Sequence, residues 1–106
     1  SMMRTNHFHD RIQRATQQLA QLQARELLAT QRRESKAKEQ AKRDEARRRA
    51  RIGELAFLAR AEALEDAELV GALRMHLQNR NKLREQASDL GAAWLLAISL
   101  GTEAST

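Results

Sequence analysis

Ten bases and four acids fall between Gln31 and Arg51, and the order of the bases is what could do chemistry. On a helix of about 100° per residue with Arg32 set at zero, Arg43 falls at about 20°, Lys36 at about 40°, Arg47 at about 60°, and Arg33 and Arg51 at about 100°. Arg32, Arg33, Lys36, Arg43, Arg47 and Arg51 thus share about a third of the helix surface. No acid of the segment lies inside that arc, and Glu39 and Asp44 flank its edges. From Arg32 to Arg51 the stripe is about 28 Å long, on the order of one turn of B-DNA, about 34 Å. Guanidinium groups in such a row suit phosphate contact, because each neutralised phosphate releases counterions. A helix of this kind also fits the major groove. The competing reading is a solvated strut.

Other ligands are less suited to this row. An anionic membrane would want an apolar face opposite the charges, and none is present. Stacking on single strands would want aromatics among the bases, whereas Phe8, Phe57 and Trp94 all lie outside the segment. Double-stranded DNA is the expected nucleic-acid partner, held by its backbone.

Few other residues point to chemistry. His7 and His9 flank Phe8, but on a helix i and i+2 face apart and no third ligand is nearby. No metal site is expected. With no Cys, no G-x-S-x-G and no phosphate-binding loop, catalysis is not expected, nor is a cofactor or a small-molecule substrate. Glu62, Glu65, Asp66 and Glu68 form an acidic cluster best explained by the start of a helix, where the dipole favours negative charge.

The elements that would position the stripe follow from composition. The chain has no Pro, no Cys and no Tyr, and it is dominated by Ala, Leu, Gln, Glu, Lys and Arg, so the expectation is all-α. Ser1 ahead of Met2 reads as a residue left by tag removal, and residues 1–9 as a mobile tail. Asp10 is a plausible N-cap for one long helix over residues 10–63. Ile12, Ala15, Leu19 and Leu22 repeat at alternating steps of three and four, a seam of coiled-coil type. Over residues 31–51 the acids Glu34, Glu39, Asp44 and Glu45 each precede a base by four residues, each pair contributing about 0.2–0.5 kcal/mol.

A break is expected at Leu64-Glu65-Asp66, with Asp66 capping a helix that buries Leu69, Val70, Leu73 and Leu77. Asn79-Arg80-Asn81 is the next boundary. A last helix over about Lys82 to Leu100 carries Leu83, Leu90 and Trp94, with Gly101 as its C′ residue. Residues 64–100 then form a helical hairpin core and residues 101–106 a tail.

The core is thin: 19 Ala against 25 larger apolar residues leave a monomer little to bury. A homodimer is expected, with Ile12, Leu19, Leu22, Leu55, Leu69, Leu73, Leu90 and Trp94 as core or dimer contacts. GAAWLLAISL is about half the length a bilayer requires, and MMRTNHFHD lacks a signal-peptide core, so no membrane and a cytoplasmic location are expected.

The stretch RRRARIGELAFLARAEALEDAELVGAL, residues 47–73, resembles the small conjugal-transfer TraD family of plasmid mobilisation proteins, and LREQASDLGAAW, residues 83–94, is similar to the downstream segment of that family. The resemblance covers roughly residues 42–96. It implies a DNA-binding relaxosome accessory that assists a relaxase at a plasmid transfer origin. The bases it carries over are Lys42, Arg43, Arg47, Arg48, Arg49 and Arg51. The alternative function is a helical interaction or adaptor protein whose charged helix is a spacer.

Overall fold

A sequence with no proline and strong helix formers throughout gives the backbone few places to stop. The computed structural model describes residues 2–102 and contains, in order, α1 (Met2–Leu58), a 3-10 turn (Ala61–Ala63), α2 (Asp66–Gln78) and α3 (Arg80–Ser99). Among the described residues there is no strand. The chain divides into two units, Ser1–Ala46 and Arg47–Thr106.

Residues 2–9 are helical, in place of the expected tail, and Asp10 lies inside α1 instead of capping it. Nothing in MMRTNHFHD breaks a helix, since it has neither Gly nor Pro. The proposed leftover at Ser1 and the tail residues 103–106 lie outside the described residues. The Ile12, Leu19 and Leu22 seam is exposed along its length. Among the described residues of the first unit, none packs over it. Local terms hold this helix: backbone ladder, residue propensity and side-chain pairs one turn apart.

α1 ends at Leu58, earlier than the expected residue 63. Arg60 adopts φ 65° and ψ 28°, the left-handed conformation, and its amide bonds the Phe57 carbonyl at 3.0 Å. This is the αL stop more often supplied by glycine, taken here by an L-residue at a cost of about 1–2 kcal/mol. Leu64 then turns extended, and Glu65, not Asp66, occupies the N-cap position of α2, without a side-chain bond. Asp66 and Glu68 sit in the first turn of α2, where its dipole favours them.

Asn79 alone separates α2 from α3. Its amide bonds the carbonyls of Met75 and His76, its Nδ2 donates to Met75 O at 2.8 Å, and its own carbonyl accepts from Lys82 and Leu83. One residue therefore closes one helix and opens the next, two residues before the expected start at Lys82. At the far end Gly101 has φ 68°, with Gly101 N bonding Ile98 O and Thr102 N bonding Ala97 O. That is the paired bonding of a Schellman stop, as the C′ glycine leads one to expect.

In the second unit, α3 is tied to the end of α1 by one long-range bond. Trp94 Nε1 donates to Leu58 O at 2.8 Å. The last carbonyls of a helix have no partner in their own ladder, and the indole N–H satisfies one of them while its ring covers apolar surface. Leu55, Leu58, Leu69, Trp94 and Ile98 are half-buried, yet no described residue is fully buried. The expected core residues Leu73 and Leu90 are exposed.

Candidate nucleic-acid interface

All six bases of the stripe lie on α1 and are exposed. Within the first unit, Arg33 donates from Nη2 to Thr30 Oγ1 at 3.1 Å. Arg43 donates from Nη2 to Gln40 Oε1 at 2.9 Å and lies 4.0 Å from Glu39, the i, i+4 pair expected from the sequence. Gln40 in turn donates from Nε2 to Asp44 Oδ1 at 2.8 Å. Glu39, Gln40, Arg43 and Asp44 thus form a short polar chain along the helix surface, which holds the Arg43 guanidinium in place. Arg32 and Lys36 share a surface depression with Gln31 and Ser35. Glu39 lines the same depression, and both cations are exposed to solvent.

In the second unit, Arg47 and Arg51 lie one turn apart, and Arg51 Nη1 bonds Glu54 Oε1 at 3.1 Å. Glu54 lies within about 20° of Arg47 on the helix wheel, on the same side as the two bases. An acid there ends the stripe. From Ile52 onward α1 serves the apolar contacts of the second unit instead. Leu55 and Ala56 are half-buried, while Ile52 and Phe57 stay exposed.

The helical start at Met2 adds bases outside the segment 31–51. Arg11, Arg14 and Arg25 fall at about 60°, 0° and 20° on the same wheel. The steps Arg14 to Arg25, Arg25 to Arg32 and Arg32 to Arg43 are 11, 7 and 11 residues, each close to a whole number of turns. That spacing is a signal present in the sequence, overlaid there by the apolar seam between Ile12 and Leu22. The arc is interrupted between Arg14 and Arg25 by Gln18 and Leu22, so the upstream bases are sparser than those after Gln31.

The carried-over bases Lys42, Arg48 and Arg49 are also exposed on α1, but outside the arc. The expected core and dimer contacts separate into two groups. Leu55, Leu69 and Trp94 are half-buried in the second unit, whereas Ile12, Leu19, Leu22, Leu73 and Leu90 face solvent. His7 and His9 sit on α1, where the His9 ring lies edge-on to Phe8 at 6.4 Å. Among the described residues no group of three or more His, Cys, Asp or Glu is placed to hold a metal ion. Among them also, no helix is long and apolar enough to cross a membrane.

What this surface can do is electrostatic. Exposed guanidinium and ammonium groups on one side of a helix bind phosphate by charge-assisted hydrogen bonds, bidentate where Arg presents its fork. No protein-family model, no curated protein and no solved structure matches the chain.

Proposed function

We propose that the protein is a non-enzymatic DNA-binding accessory of plasmid conjugal transfer, working in the cytoplasm and assisting a relaxase. It grips the duplex backbone through Arg32, Arg33, Lys36, Arg43, Arg47 and Arg51 and pairs with a second copy of itself. The observation that carries the reading is that Arg32, Arg33, Lys36 and Arg43 are exposed on one arc of α1 in the first unit, and Arg47 and Arg51 are exposed one turn apart in the second. Backbone contact is favoured over base readout, because phosphate binding needs only the charge and reach that these side chains have.

A second reading, a helical adaptor whose charged helix is a solvated spacer, draws support from the local bonding. Arg33, Arg43 and Arg51 each hold a partner on their own helix. Such pairs support an isolated helix without any ligand.

Fluorescence anisotropy of a labelled 30-base-pair duplex, titrated at two salt concentrations, separates the two. Backbone grip by six bases predicts affinity falling on the order of 10³-fold between 50 and 200 mM salt. A spacer binds no duplex even at the lower salt, and that result would sink the DNA reading. Transfer-origin duplexes are then compared with unrelated ones for the conjugation part of the proposal: equal affinity for both removes sequence recognition and leaves general DNA binding.

A further inference from the structure

We infer that the apolar groove of the second unit is filled by a second copy of this chain, with α3 of the partner as the inserted element. The groove has a volume of about 530 Å³ and is lined by Ile52 and Leu55 from α1 and by Leu69, Leu73, His76 and Leu77 from α2. Ile52, Leu73 and Leu77 are exposed although all three face it. The inference rests on the proposal that the chain pairs with itself, and not on DNA contact.

Area gives the first argument. A compact monomer of 12.1 kDa exposes about 6,000 Å², whereas this chain exposes 10062 Å². Part of the excess is the bare helix of the first unit. In the second unit, too, no described residue is buried. A standard interface takes about 800 Å² from each partner, about a fifth of the excess.

α3 supplies the second argument. Leu83, Leu90 and Trp94 lie within about 60° of one another on this helix. Trp94 is half-buried against the end of α1, yet Leu90, one turn earlier on the same side, is 73% exposed, the highest value for any leucine described. An apolar stripe that is covered at one turn and bare at the turn before lacks a neighbour. The groove and the bare stripe belong to the same unit, so a two-fold pairing lets each chain offer both.

Charge decides against the first unit as the pairing surface. Residues 1–46 carry ten bases against six acids, while residues 47–106 carry nine against eight. Two copies of the second unit meet with little repulsion. Two copies of the first, each with four bases in excess, would meet against net repulsion.

Sedimentation velocity on the full chain and on Leu73→Glu, Leu90→Glu and Leu19→Glu variants tests this, with circular dichroism recording helix content. The parent chain and Leu19→Glu are expected to run as two chains, and Leu73→Glu and Leu90→Glu as single chains. A parent that stays single up to 100 μM would overturn both the pairing and its place. A paired parent that is split by Leu19→Glu but not by Leu73→Glu would keep the pairing and overturn the groove. Should a Glu variant lose its helix, the absence of native cysteine allows a Leu73→Cys, Leu90→Cys double variant. Oxidation that joins two chains through these positions supports the groove. Oxidation that joins chains only in a Leu19→Cys control overturns it.

Discussion

Residues 1–46 and 47–106 are both helical, and they are helical for different reasons. The described large apolar residues of the first unit are exposed. Leu19 and Leu22 are exposed, and its described side-chain bonds, such as Arg33–Thr30 and Arg43–Gln40, reach only three or four residues along the chain. The second unit has half-buried leucines, a left-handed stop at Arg60 and a hydrogen bond from Trp94 to Leu58 across 36 positions. Local terms can build a helix of any length, but only the second kind of contact can define a surface unique to this sequence. Charge divides the same way: the excess of bases sits where the helix is bare, and near-neutrality where side chains meet.

The largest effect that would sharpen this contrast is on DNA. Reversing Arg43, Arg47 and Arg51 to Glu should weaken duplex binding by about 100-fold or more at low salt and flatten its salt dependence by about three units of slope. Helix content should stay unchanged. Next is a pair of truncations read by urea titration of Trp94 fluorescence. Leu55→Ala should cost about 2 kcal/mol, the low end for leucine truncation because the side chain is half-buried. Leu19→Ala should change stability by less than about 0.5 kcal/mol. Equal costs at the two positions would break the comparison. Trp94→Phe keeps an aromatic ring and removes the donor to Leu58 O, for a loss of about 1 kcal/mol in thermal unfolding. Smallest is Arg60→Gly. It relieves the left-handed strain but adds freedom to the unfolded chain, for a net gain of about 0.5 kcal/mol and a rise of a few degrees in the melting midpoint.

The parts of the fold legible in the sequence were those set by local chemistry. Helix formers without proline gave the all-α class, and Gly101 marked the end of α3 because glycine alone takes that backbone shape without strain. Arg60 gave no such sign. Arginine is a good helix former, yet its left-handed turn moved the break ahead of Leu64. The start at Met2 was equally hidden, since Asp10 offered itself as a cap while nothing before it forbids a helix. For the candidate site, the arc of six bases could be read from spacing alone. The acid Glu54 that closes it, and Arg11, Arg14 and Arg25 upstream, emerge from the same spacing once the helix is known to run from Met2 to Leu58. Burial was the least legible property. Leu90 and Trp94 share one side of α3, but what covers a side chain depends on residues far away in sequence or in another chain.

The bond from Trp94 to Leu58 has a consequence for the order in which this chain acquires its structure. Nearly every contact in the protein is local, and proteins of low contact order fold in microseconds to milliseconds. Helical turns form first, in about a microsecond or less. The indole can dock only after α2 and α3 have both formed, so it reports the last step within the chain. Trp94 is the one tryptophan present, and its emission after a temperature jump should therefore trail the amide signal. A pause between the two traces that shortens with protein concentration would belong to the meeting of two chains, and one that does not would belong to the closure of α3 on its own chain.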